Sequence, residues 1–218
     1  MANLRTGLFG SYYGSFYNES EHLTSKEMEV NARYLYSSLS AQGWTINAIA
    51  GILGNMQAES SINPGRWQSD SVGWSSGGYG LVQWTPTTKY IDWCSSEGYS
   101  DPSEMDCNIA RILYEVENKI QWYATTSYNM TFKEFTQSTT DCGTLAKAFL
   151  LNYERPADQS ESVQNYRSSL ANSWYTFLTG VEPEQPENNG TGTNKKRKYN
   201  FLILNSNQRR KTWKRMRF

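Results

Sequence analysis

Apolar positions recur at helical spacing through most of the first 180 residues and then stop. Thr24 and Glu27 form a T-x-x-E capping box, and Met28, Ala32, Leu35 and Leu39 follow at steps of four, three and four, predicting an amphipathic helix that ends at Gly43. Thr45 is the expected N-cap of a second helix through Ile49, Ile52, Leu53 and Met56. Gly51 and Gly54 lie inside it. Each weakens a helix by about 1 kcal/mol relative to Ala, which is tolerated where another backbone must approach closely, so this helix is expected at the centre of the fold.

The pattern then breaks at Asn63-Pro64, and "RWQSDSVGWSSGGYGLVQW" combines turn residues and aromatics without a 3.6 period, which predicts a loop and short β-hairpin. Thr85-Pro86 reads as an N-cap and first helical residue for a helix through Tyr90, Ile91 and Trp93. Asp101-Pro102 with Glu104 opens another, with Met105, Ile109, Ile112, Leu113, Val116 and Ile120 as its stripe. Thr131 and Glu134 cap a short helix, and further helical patterns cover residues 143–153 and 159–178. Trp44 and Trp93 read as core aromatics.

Domain organisation follows from where the pattern fails. Residues 1–23 are rich in Gly, Ser, Tyr and Phe and read as an irregular arm. Residues 24–180 form one mainly α domain with a small β excursion, 181–194 a Pro/Glu/Asn/Gly linker, and 195–218 a basic tail. The formal net charge is zero, yet ten of the 21 Lys and Arg residues stand at or after Lys195 and none of the 21 acids does. The body is therefore acidic and the tail cationic. An acidic body repels phosphate, so no nucleic-acid partner is expected; the tail suits anionic polymers or acidic proteins instead. No segment has the roughly 20 apolar residues of a membrane span, and no secretory leader pattern stands at the N-terminus.

His22 is the only histidine, which excludes chemistry built on several imidazoles, including zinc peptidase sites; no metal or other cofactor is expected. Cys94, Cys107 and Cys142 are an odd and sparse set, read as buried or idle thiols of a protein made in a reducing cytoplasm. Any catalysis falls to carboxylates. Glu59 stands out because it closes the predicted central helix. A carboxyl with its proton affinity raised by an apolar pocket and an opposing helix dipole can protonate a glycosidic oxygen at neutral pH. The aromatics that follow, Trp67, Trp74, Tyr79 and Trp84, offer flat faces to pyranose rings, and Gln68, Gln83 and Ser76 offer hydrogen bonds. Asp70 is the only other acid between Glu59 and Gly80, a candidate second carboxylate in a turn-forming "SDS".

Three stretches in order, "NARYLYSSLSAQGWTINAIAGILGNMQAESSINPGRWQ", "GGYGLVQWTPTTKYIDW" and "NYERPA", resemble the phage tail lysozyme family of wall hydrolases carried by short-tailed phages of Gram-positive bacteria. The resemblance covers about Thr24 to Leu178. It implies a lysozyme-like α+β domain, Glu59 as the catalytic acid of a muramidase, Tyr79 and Gln83 in contact with substrate, and Trp67 and Trp84 beside them. Tyr153 and Glu154 of "NYERP" fall where related enzymes bring a late helix to the catalytic acid, with a structural role for Glu154 equally open. The implied activity is cleavage of the MurNAc–GlcNAc β-1,4 bond on the virion, at the phage tail tip. The implied partners are peptidoglycan strands and other tail proteins, with anionic wall polymers for the basic tail. A lytic transglycosylase using the same acid, or a non-catalytic glycan-binding tail component, are the alternatives. Relatives with a second, zinc-dependent peptidase domain are not matched in that respect, since one histidine cannot supply its ligands.

Overall fold

In the computed structural model, residues 3–5 and 15–180 are described, and these contain seven α-helices and one two-stranded sheet. The chain divides into two units at Pro183, and the described residues all belong to the first. The linker, the basic tail and most of the N-terminal arm lie outside the described residues.

The central helix is α2, Ile46–Ser60, in which every residue from Ala48 to Met56 is buried. It packs against α6, Cys142–Phe149, α7, Glu161–Thr179, and α1, Ser25–Ala41. Its two glycines mark the contacts. A Cβ on Gly51 would lie 3.1 Å from Leu145 Cβ, and one on Gly54 would lie 2.7 Å from both Ala171 N and Arg167 O. The α2–α7 crossing is thus a backbone-to-backbone approach that any side chain at Gly54 would block.

Local capping chemistry starts the helices as the sequence predicts. Thr24 and Glu27 complete a capping box on α1, Thr45 accepts from Ala48 N on α2, and Thr131 and Glu134 complete a box on α5, Phe132–Gln137. Two starts differ. Thr85-Pro86 is a cis peptide and α3 runs Thr88–Ser96, while Asp101 accepts from Ser103 in a local turn and α4 begins at Met105 and ends at Glu117. Ile120 therefore falls beyond α4 and is exposed.

The arm is not wholly irregular: β1, Asn3–Arg5, pairs antiparallel with β2, Ser15–Tyr17. Asn31 of α1, fully buried, holds this sheet to the turn after α2, donating to Phe16 O and Ile62 O and accepting from Phe16 N. The β excursion after α2 is a loop closed by two single antiparallel bridges, Trp67 with Tyr79 and Tyr79 with Trp84, rather than a continuous hairpin. Buried Asn108 of α4 anchors that loop by accepting from Leu81 N and donating to Tyr90 Oη. No helix among the described residues is long and apolar enough to cross a membrane.

The cysteine reading is corrected in part. Cys94 of α3 and Cys107 of α4 form a disulfide with Cα atoms 6.4 Å apart, whereas Cys142 is free and buried, its thiol pushed up to about 11 by burial. A sparse, odd cysteine count gives no information on which side chains two packed helices bring face to face. Closing a loop of about 15 residues stabilises a fold by about 3 kcal/mol. The Cys94→Ser/Cys107→Ser double variant is therefore expected to unfold at lower urea than the parent, with a dependence on denaturant at least as steep, since the unfolded chain loses its cross-link and expands.

Candidate active site

Glu59 stands one residue before the end of α2, where Ser61 and Ile62 turn the chain through left-handed backbone (φ 59° and 52°). That turn is fixed from inside: Ser60 Oγ donates toward Leu81 O and Met56 O, and Asn63 donates to Asn18 O and Glu21 O. The Glu59 side chain, 21% exposed, opens into a cleft of about 280 Å³ lined by Glu59, Arg66, Gln68, Gln83, Glu154 and Pro156 among others. This volume is close to the lower end of typical ligand pockets, about 300–1,000 Å³.

The sequence places Glu59 in an apolar pocket; the structure places it against a cation. Arg167 of α7 donates from Nη2 to Glu59 Oε1 at 2.6 Å and from Nη1 to Asn55 O at 3.0 Å. Arg167 was not singled out by sequence reasoning, although a signal was present. Arg167, Ala171 and Trp174 are the buried positions of α7, at steps of four and three, so an arginine occupies the helix's core-facing stripe.

Glu154 reaches the same cleft by a different route. After α6 the chain widens into a π-turn, Leu150–Glu154, closed by Arg155 N donating to Leu150 O at 2.8 Å, and Arg155 leaves it in left-handed backbone. The turn is stitched to the preceding segment by Tyr123 N donating to Asn152 O and by Asn152 Oδ1 accepting from Thr125. Glu154 Oε1 is buried without a hydrogen-bond partner. Its carboxyl is pushed well above the usual range, first by burial and next by the Glu59 charge, with Arg167 opposing and Glu115 adding a smaller push.

Several expected sugar contacts lie elsewhere. Tyr79, Trp84 and Tyr153 are buried at 2%, 3% and 1% exposure. Trp84 stacks on Tyr90 of α3 with centroids 4.4 Å apart and donates from Nε1 to Glu115 Oε1, while Tyr153 donates to Glu115 Oε2. Trp67 packs edge-on against Tyr79, and its Nε1 is buried. The rings of Tyr79, Trp84 and Tyr153 are thus core and offer no free face to a sugar, while Trp67 is partly buried, and none of the four lines the cleft. Trp74 alone of the named aromatics is well exposed, on the outer loop.

Gln83 does line the cleft. Held at φ 50°, it donates from Nε2 to Arg66 O and Gly80 O, which leaves its amide oxygen as the remaining polar atom. Asp70 does not reach the cleft lining: its half-exposed carboxylate lies 2.6 Å from Arg66 Nη1. His22 Nε2 is 3.2 Å from Arg66 Nη2, and its Nδ1 meets Ser61 Oγ. Arg66, nearly buried, is thus held from two sides, a role that neither its position in "PGRWQ" nor the isolation of His22 signalled. No cluster of three or more metal-ligating side chains is present among the described residues.

Two likenesses accompany this geometry. A family model described as phage tail lysozyme matches residues 30–178. Morphogenesis protein 1 of Bacillus phage B103 is 50% identical over 165 residues, which are 76% of this chain and 44% of the relative, so the chain spans less than half of that protein's length.

Proposed function

The chain belongs to the phage tail lysozyme family, and from that premise we infer that its helical domain is a muramidase, cleaving the MurNAc–GlcNAc β-1,4 bond of peptidoglycan. The observation that carries this reading is the Glu59 carboxyl, which opens from the end of α2 into a polar cleft against Arg167. In the proposed reaction the Glu59 carboxyl gives its proton to the glycosidic oxygen as the C1–O bond breaks. The sugar passes through an oxocarbenium-like state, and water adds to C1 and returns a proton to Glu59. The Arg167 guanidinium stabilises the carboxylate left between these steps. Gln83 and Arg66 supply an acceptor and a cation for sugar substituents.

A relative named as a morphogenesis protein of a Bacillus phage supports a virion role and a Gram-positive wall as target. In that setting the enzyme opens the wall locally from the phage tail tip, beside other tail proteins, and the basic tail meets anionic wall polymers.

The engagement of Asp70 with Arg66 favours a second reading, in which a single acid suffices because the substrate's own C6 hydroxyl attacks C1. Mass spectrometry of fragments from purified Gram-positive peptidoglycan separates the two: new reducing ends mark hydrolysis, and 1,6-anhydro ends mark transglycosylation. Turbidity loss without new sugar ends of either kind would overturn both. Asp70→Asn tests the loop carboxylate directly. An ion pair whose carboxylate is half-exposed is screened by water and worth about 1 kcal/mol, so the variant is expected to keep activity within about fivefold of the parent in the same assay. A hundredfold loss would make Asp70 a reacting group.

A further inference from the structure

Glu115 of α4 is fully buried, and a carboxylate is kept in a core only where the bonds it loses to water are replaced. Its replacements come from two distant parts of the chain. Oε1 accepts from Arg111 Nε at 2.9 Å, one helical turn away, and from Trp84 Nε1 at 3.1 Å, while Oε2 accepts from Tyr153 Oη. Trp84 and Tyr153 do not line the cleft, but their chain neighbours do: Gln83 and Thr85 flank Trp84, and Glu154 follows Tyr153. We propose that Glu115 is a positioning residue for the cleft: its two oxygens tie the Gln83 loop to the π-turn and so fix where Gln83 and Glu154 stand relative to each other. The purpose of this tie rests on the muramidase reading, and its geometry does not.

Both segments need such a tie. The loop is closed by single bridges and holds Gln83 at φ 50°, and the π-turn hands over to Arg155 at φ 49°, so neither is fixed by a regular ladder of backbone bonds. The two arms of the tie are stiff. The Trp84 ring stacks on Tyr90 and the Tyr153 ring on Phe149, each with centroids 4.4 Å apart, so an anchored ring tip anchors the backbone behind it. The hub is held as well: Arg111 is nearly buried, with its guanidinium over the rings of Trp93 at 5.1 Å and Tyr114 at 5.5 Å. Packing alone does not account for this ion pair, because apolar side chains of similar volume fill such a site at no greater cost. What the carboxylate adds is two acceptors aimed at two segments. Glu59 and Arg167 bond to each other and to Asn55 instead, so the tie governs how a sugar is seated and leaves the acid in place.

The test uses the full chain and the Arg111→Met/Glu115→Leu double variant, which removes both acceptors without stranding a buried cation. Amide hydrogen exchange at Trp84 N, which donates to Tyr79 O, and at Arg155 N, which donates to Leu150 O, is expected to accelerate about tenfold more than at Ile52 and Leu53 of α2. A purely structural ion pair would accelerate all four by one factor, and that result, or unmoved exchange at Trp84 and Arg155, overturns the proposal. Should the double variant not fold, Tyr153→Phe keeps the ring and cuts one arm: Arg155 exchange should rise and Trp84 exchange stay, and an unmoved Arg155 overturns the tie. For seating, the Kd of tri-N-acetylchitotriose is expected to rise about tenfold in the double variant, with KM on wall fragments changing more than kcat. An unchanged Kd with loosened segments overturns the positioning role. If the parent neither binds that sugar nor releases sugar ends from walls, the muramidase reading fails, and the exchange rates still decide the tie.

Discussion

Glu59→Gln is expected to fold and to lose wall lysis by about 10²–10⁴-fold, the usual worth of general acid catalysis, or about 3–5 kcal/mol in the barrier. The amide oxygen can still accept from Arg167 Nη2, so the contact between α2 and α7 survives while the transferable proton is gone. Loss of the negative charge would ordinarily strand a nearly buried guanidinium. Arg167 keeps its bond to Asn55 O and an amide oxygen to donate to, so the variant should still fold, with a lowered Tm. Circular dichroism and thermal melting check the fold, release of sugar ends from purified walls checks the chemistry, and binding of chitooligosaccharide should persist. Full lysis by the folded variant would remove Glu59 from the reaction.

The largest stability effect is expected at Gly54. Replacing Gly by Ala inside a helix ordinarily gains about 1 kcal/mol from propensity. At Gly54 the added Cβ would stand 2.7 Å from Ala171 N and from Arg167 O, both backbone atoms that cannot rotate away. Overpacking of this kind costs about 1–3 kcal/mol and outweighs the propensity gain, and Gly54→Val should be worse. For a domain of this size each kcal/mol lowers Tm by about 2–4 °C. Because α7 must move to admit the side chain, Arg167 shifts from Glu59, and activity should fall together with Tm. Gly51→Ala, whose Cβ would meet Leu145 and Ala146 atoms at 3.1–3.2 Å, should be milder. Equal melting of Gly54→Ala and the parent would show that the crossing can open without cost.

What the sequence made legible was whatever depends on neighbours in the chain. Thr24 with Glu27, Thr45, and Thr131 with Glu134 cap helices because the bonds involved span three residues. The close approach at Gly54 was legible too, since a helix carries such a residue only for a reason outside itself. Facing was not legible. Trp84 and Tyr79 read as sugar platforms by type, yet Tyr90, on a helix several residues later, stacks against both and draws them inward. Asp101 had two local uses and took the turn with Ser103 over the helix start. The disulfide joins side chains whose proximity is decided by how α3 lies on α4. For the candidate site, Glu59, Gln83 and Glu154 were in hand, and Arg66 and Arg167 were missed because a long cation reads as solvated surface unless its place on a buried stripe is weighed.

The π-turn at Leu150–Glu154 bears on how the domain can vary over evolutionary time. Such a turn holds one residue more than a regular helix would, and each helical residue advances the side chains by about 100° around the axis. Deleting one residue there would let α6 run on regularly, because the five steps of the wide turn and the four steps of an α-turn carry the chain through about the same rotation. The carboxyl at the end of the turn would then come round to about the same face, and Phe149 would stay in the core. The segment between α6 and Pro156 is therefore open to the loss of one residue, and a homologue with a one-residue gap at that place can keep a carboxyl at the cleft.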